Sequence, residues 1–369
     1  MAKTSYATGD ALAAKLWARD LATEVRKGLE IAPLIGTSAN SIIQEKTEFK
    51  QKGDKVTFGL RMQLTGDGVT SSQTLEGNEE SLTTYSDSLF IDELAHAVRV
   101  EGEDSIDQQR ILFNLRNEAR DGLKDWFAER MSLMMFLQLS GYTGSSITYR
   151  GRTVNLSSVY TGLNSVVAPS TGRKYFCGTG NTADEGIANT DPLTLADISK
   201  VKVIAQTANP RIRPVRVNGA DKYVMYIHPY HTLSLKQEAI ASGSISWSDI
   251  QLAALQGGER SGNGIYTGAI GEYDGVVIRE SEDVVTGCNS STGAEITTVR
   301  RAVFMGAQAG AIGYSSKFSK SSPYKWVEKT FDYDRELGVS VQGLMGMKKT
   351  RFNSKDFGVI TVSSYAVAP

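Results

Sequence analysis

Residues 55–64 read KVTFGLRMQL, in which Val56, Phe58, Leu60, Met62 and Leu64 alternate with Lys55, Thr57, Gly59, Arg61 and Gln63. Successive side chains of an extended chain point to opposite faces, so this run predicts a strand with one apolar row. A second alternating run, LAHAVRV, sets Leu94, His96, Val98 and Val100 on one face. Between them, TGDGVTSSQTLEGNEESLTTYSD is glycine-rich, acidic and poor in core-forming residues, as the tip of a long β-hairpin would be. Two strands alone are marginal in water. The apolar row therefore needs a cover, supplied by this chain's own body or by a neighbouring copy.

On the N-terminal side, Leu12, Leu16, Ala18, Leu21, Val25 and Leu29 recur at helical spacing until Pro33 and Gly36 break the pattern. This predicts a short amphipathic helix, either an ordinary core helix or a docking arm. On the C-terminal side, Ser105 to Gln108 fits a capping box, with Asp107 in the first turn. From there Leu112, Leu115, Ala119, Leu123, Phe127, Met131, Met134 and Leu137 follow at steps of three and four, up to an exit at Ser140-Gly141. One continuous helix over this span would be roughly 50 Å long at about 1.5 Å per residue. That is well beyond the usual length of about 11–12 residues and reads as a structural spine. Its last stretch, MSLMMFLQL, is apolar nearly all round and predicts a buried end.

Residues 141–190 turn rich in Gly, Ser, Thr and Asn and predict loops with short strands. DPLTLADISKVKVIAQTA then resumes helical spacing, with Pro192 in an early helical position behind an Asp191 cap. Beyond it YVMYIH, HPYHTLSLKQEAI, GVVIRES, RAVFMGAQAGAIGY, GVSVQGLMGM and FGVITVSSYAV alternate strand and short helix without a fixed repeat. The fold class is α+β.

Bulk properties narrow the function. The 369 residues are 40% hydrophobic and 22% charged, as in a folded soluble protein. A formal charge of −1 argues against a dedicated nucleic-acid binder. Cys177 and Cys288 have no CxxC partner. No leader-like apolar segment opens the chain, and no run approaches the roughly 18 apolar residues that suggest a membrane span.

Chemistry is sparse. Of three histidines, His228 and His231 stand three apart in MYIHPYHTLSL. They could share a metal in a metal-dependent hydrolase, but a third ligand, HExxH and HxH are all missing. The other reading is a strand meeting a proline-started helix, with histidines at the joint. There is no GxSxG elbow, and GNGIYTGAIG lacks phosphate-loop spacing. The run NPRIRPVRVNGADK carries Arg211, Arg213, Arg216 and Lys222 without interleaved aromatics. No catalytic residue, cofactor or metal is expected.

The ordered set of arm, hairpin, spine helix and mixed body resembles the major capsid proteins of tailed bacteriophages with the Hong Kong 97-type coat fold. The wording is most similar to the coat family typified by coliphage N-four. The stretches that carry this are KGDKVTFGLRMQLTGDGV, LEGNEESLTTYSDSLFIDELAHAVRV, the helix exit LSGYTG, RPVRVNGADKYVMYIHPYHTLSLK, GAIGEYDGVVIRESEDV, AVFMGAQAGAIGY and FDYDRELGVSVQGLMGMKKTRF. The resemblance implies an N-terminal arm over 1–45, an extended β-hairpin loop over 46–102, and the spine helix of a peripheral domain over 103–141. It further implies a variable loop region or insertion over 142–190, a mainly axial domain over 191–340, and a strand returning to the peripheral domain within 341–369.

It also implies a coat subunit that forms pentamers and hexamers of an icosahedral head around double-stranded DNA, held non-specifically on the inner face. Its place would be the virion capsid, and the host cytoplasm during assembly. Portal, scaffolding and decoration proteins are further partners on this reading, and no membrane is involved. Val56, Phe58, Leu60, Met62, Leu64, Leu12 and Leu16 are the candidate intersubunit contacts. A virion-surface decoration module is the other structural alternative, and the long helix speaks against it.

Overall fold

The structure, a computed structural model, describes residues 11–49, 55–60, 66–80, 85–101, 106–110, 112, 114–217, 219–242, 269–315, 322–333 and 335–369. At its centre is the helix Leu115–Ser140, about 39 Å long at about 1.5 Å per residue. No β-branched residue interrupts its 26 residues. Asn114 starts it, accepting the N–H groups of Arg116 at 2.9 Å and Asn117 at 3.3 Å on its side-chain oxygen. Gly141 ends it in the left-handed region at φ 62, and the Tyr142 N–H reaches the Leu137 carbonyl at 3.1 Å.

The expected continuous helix from residue 105 is therefore two pieces. A short helix Ile106–Arg110 precedes the spine, and Asn114 restarts the chain by competing for its own backbone donors. The proposed cap at Ser105 lies outside the described residues. The exit at Gly141 is where the sequence places it. The spine buries Leu123, Phe127 and Met131 on one face and everything from Met131 to Ser140 all round. Each fully buried Leu, Met or Phe contributes about 1.5–3 kcal/mol over its exposed state.

Two sheets flank the spine. In the first, Glu336–Lys349 is the hub: it pairs antiparallel with Asp92–Glu101, Tyr324–Phe331 and Gly310–Ser315. Gly310–Ser315 in turn pairs parallel with Ile43–Phe49. The hub alternates strictly at first, with Leu337, Val339 and Val341 turned into the core beside Phe127 and Met131. The N-terminal helix Ala11–Gly28 adds Leu21 and Val25 to that core.

The second sheet has the order Ala269–Tyr273, Val276–Glu280, Ala220–Ile227, Glu295–Met305, Val359–Tyr365, Lys174–Phe176. Its central strand Ala220–Ile227 is covered on both faces. Val224 and Tyr226 face the spine cluster, while Tyr223, Met225 and Ile227 face the helices Leu195–Thr207 and Pro229–Ser242 through Ile198, Val201 and Leu235. Burial on both sides explains the unbroken apolar run YVMYI.

Several local expectations change. LAHAVRV is not the hairpin's second strand: Tyr85–Phe90 pairs with Lys55–Leu60, and Asp92–Glu101 joins the hub. Polar YSDSLF carries little alternation, so its pairing was hidden. The cap of Leu195–Thr207 is Thr194, in a capping box with Asp197, whereas Asp191 instead accepts from the Ala188 N–H and from Asn181. The stretch 341–369 divides between the sheets, with residues to Lys349 in the hub and Val359–Tyr365 inside the second sheet. Residues 142–190 are tied into the body: Lys174–Phe176 lies parallel to the last strand, and Asp184 is buried.

Candidate assembly surfaces

The hairpin Lys55–Leu60 and Tyr85–Phe90 is fastened to the body at its root. Phe58, Leu60 and Leu89 form a small apolar cluster with Ala311 and Phe357, and Tyr85 meets Phe352 edge-on at 3.9 Å between ring centroids. Asp87 takes the Lys348 ammonium at 2.6 Å and the Arg351 N–H at 2.9 Å. Asn164 donates to the Phe90 carbonyl at 2.7 Å and accepts its N–H at 2.9 Å, and is itself held through its carbonyl by Gln138 at 2.6 Å. A Cβ on Gly346 would stand 2.0 Å from the Phe90 carbonyl oxygen, so only glycine lets the hub pass this close. These holding residues carry no sequence signal, because each acts on a backbone brought near by the tertiary fold.

The predicted contact row is thus divided by the fold. Phe58 and Leu60 are each 5% exposed and covered by their own chain, and Val56 is half-buried. Met62 and Leu64 lie outside the described residues. Leu12 and Leu16 belong to the helix Ala11–Gly28, though their side chains are outside the description. Residues 66–80, at the far end of the hairpin, are exposed throughout except half-buried Val69, and Leu75 projects into solvent.

A buried polar knot closes the spine's end. Arg301 donates to Asp184 at 2.8 Å, to the Gly141 carbonyl at 3.1 Å and to the Cys288 sulfur at 3.2 Å. Asp184 also accepts the Cys288 N–H at 2.9 Å. One cation so joins the spine, the 142–190 region and the second sheet.

The histidine joint is structural. Pro229 does open its helix, as expected, but the histidines are not on the surface: His231 is fully buried and His228 nearly so. The His228 N–H donates to His231 Nδ1, and the Tyr230 N–H donates to His228 Nδ1, both at 3.2 Å. Both Nδ1 atoms are therefore acceptors, the neutral rings carry hydrogen on Nε2, and His231 Nε2 lies 2.8 Å from Ser364 Oγ. Burial, reinforced by Arg300, pushes both imidazoles down to about 3. Among the described residues no group of three or more His, Cys, Asp and Glu could hold a metal ion.

The comparisons with known proteins agree with this architecture. The family model described as phage capsid protein matches residues 5–368. The chain is 31% identical to the major capsid protein of Pseudomonas phage KPP25 over 94% of its own length and 93% of the relative's. It superposes on the capsid of Ralstonia phage GP4 with a TM-score of 0.79 and 32% identity, covering 100% of this chain and 99% of that one. The Cyanophage Pam1 capsid shares the fold at a TM-score of 0.63 and 22% identity, with 92% of each chain covered. The chain belongs to the phage capsid protein family, has the Hong Kong 97-type coat fold, and is a structural subunit rather than an enzyme.

Proposed function

We propose that this chain is the major capsid protein of a tailed phage and that its copies assemble into an icosahedral shell. The observation that carries this is the end-to-end match to the capsid of Ralstonia phage GP4, which covers 100% of this chain and 99% of that one. On this reading the subunits group as pentamers and hexamers, and repeated modest contacts stabilise the shell by symmetry. The peripheral domain is the spine with its hub sheet, and the axial domain is the second sheet with its two helices. Double-stranded DNA lies non-specifically against the inner face. Portal, scaffolding and decoration proteins complete the particle, which is built in the host cytoplasm. Because Phe58 and Leu60 serve the hairpin root, contact with neighbours passes to Val56, Met62, Leu64, the tip, and Leu12 and Leu16 of the arm.

Electron microscopy of the purified full chain tests this. Closed shells, rings or tubes are the expected result, whereas a strictly monomeric species under every assembly condition overturns it.

A further inference from the structure

Glu30 follows the N-terminal helix Ala11–Gly28 and lies between Leu29 and Ile31, both buried in the main core. Its backbone carbonyl accepts the Tyr226 hydroxyl at 2.8 Å, which pins the segment to the central strand of the second sheet. Its side chain meets the turn that follows Val276–Glu280. There the Ser281 hydroxyl hydrogen-bonds the carboxyl, while Oε2 is buried without a hydrogen-bond partner. The turn is itself held, since the Ser281 N–H donates to the Ile227 carbonyl at 2.9 Å and the Asp283 N–H to Ser281 Oγ at 3.1 Å.

The charges around this point do not balance. Asp283 is 3% exposed and accepts the Tyr149 hydroxyl at 2.8 Å. Arg150, in the turn between Ser146–Tyr149 and Arg152–Asn155, comes within 3.6 Å of Asp283 and also binds Glu129 of the spine. Exposed Glu282 adds a further negative charge. Among the described residues, Glu30, Glu129, Glu282 and Asp283 thus share the Arg150 guanidinium, and Arg279 stands over the Tyr226 ring at 5.5 Å.

A buried carboxylate oxygen without a donor is costly, and like charges nearby add to that cost. Burial first, then Asp283 and Glu282, raise the Glu30 carboxyl above its ordinary range against the pull of Ser281 and Arg150. Burial also leads in raising Asp283, with Glu129 and Glu282 adding to it and Tyr149 and Arg150 opposing.

We propose that Glu30 and Asp283 form a proton-operated latch between the N-terminal helix and the second sheet. A proton held on the pair seats Glu30 against Ser281, and its loss as pH rises loosens residues 28–34 from the sheet. This device goes beyond the coat reading and needs only the folded subunit. Leu21 and Val25 in the core, Arg26 on Glu45 at 3.2 Å and Lys124 on Glu24 at 3.5 Å hold the helix in either state, so the opening is local. Carboxyls raised in the closed form stabilise it fully below their ordinary values of about 4, and that contribution is lost as pH rises through the raised values.

Hydrogen exchange on the unassembled full chain tests the latch, scanned from pH 5 to 8 and corrected for the intrinsic pH dependence of exchange. The Ala32 and Leu34 N–H groups donate to the Leu29 and Ile31 carbonyls and report the opening. Their open population should rise about tenfold over that range, while residues 131–139 of the spine stay level. Glu30→Gln keeps the shape without the charge and should stay closed at every pH. Arg150→Asn removes the offsetting cation at a turn position whose φ of 49 suits Asn, and should move the transition to higher pH.

Ala32 and Leu34 amides without pH dependence, or a Glu30→Gln chain with the unmodified slope, refute the latch. Protection lost equally at every pH in Glu30→Gln makes Glu30 a packing residue only and also overturns it. So does a transition that Arg150→Asn leaves in place or moves to lower pH.

Discussion

Truncating Phe58 measures how the hairpin is held. Phe58 and Leu60 are each 5% exposed in a small satellite cluster whose other buried members, among the described residues, are Leu89, Ala311 and Phe357. Phe→Ala in a packed core costs about 3–5 kcal/mol and Leu→Ala about 2–5 kcal/mol. The cluster lies at the hairpin root rather than inside the spine core, so the hairpin should lift off before that cost reaches the whole fold.

A loss of about 3 kcal/mol for Phe58→Ala corresponds to a roughly hundredfold larger open population. Hydrogen exchange on the unassembled subunit reads this directly. Amides of residues 55–60 and 85–90 should exchange roughly hundredfold faster, while those of residues 131–139 in the spine keep their protection. The double variant with Leu60→Ala should move the hairpin amides further, up to the limit set by Asp87 with Lys348 and by Asn164 with Phe90. Equal acceleration of hairpin and spine would place the hairpin in the global core and refute the reasoning. Unmoved hairpin amides would show that the apolar cluster does not hold it.

Other expectations can be checked on the same subunit. Gly346→Ala should free the hairpin without unfolding the spine, again seen by exchange, because the added Cβ collides with the Phe90 carbonyl 2.0 Å away. Asp356→Ala should cost about 3–5 kcal/mol in denaturant unfolding. It strands the Lys349 ammonium, which is 2% exposed and bound to Asp356 at 3.1 Å and the Val167 carbonyl at 2.9 Å. A cost below about 1 kcal/mol would show that the pair is not needed.

Stability should also fall with acid. His231 is held near 3 when folded and titrates near 6.5 when unfolded, so below about 6.5 the unfolded chain binds the extra proton. The penalty is absent above that pH and grows as pH drops toward 3, so His231→Asn should remove about 2 kcal/mol of the loss between pH 7 and 5. An unchanged pH slope would show that the joint opens before it titrates.

Much of the architecture is local and was therefore legible in residue order. The Ala11–Gly28 helix, the Gly141 exit, the Pro229 start and the strand YVMYI each depend on spacing, on one capping conformation or on a run of apolar side chains. These features act over a few residues, and the chain carries them in its own pattern. The family likeness was legible for the same reason, since its stretches follow the element order of the fold.

What only the tertiary structure decided is which surfaces meet. Asp92–Glu101 alternates as a hairpin strand would, yet it pairs with Glu336–Lys349, far away in the chain. Phe58 and Leu60 are apolar in either setting, and periodicity cannot say whether the cover comes from Phe357 of the same chain or from a neighbour. The Asp184–Arg301 pair, Asn164 on Phe90 and Arg130 stacked on Tyr160 each join residues separated by tens of positions or more. Alternation states that a face must be buried, whereas long-range packing and the desolvation of each polar group select what buries it.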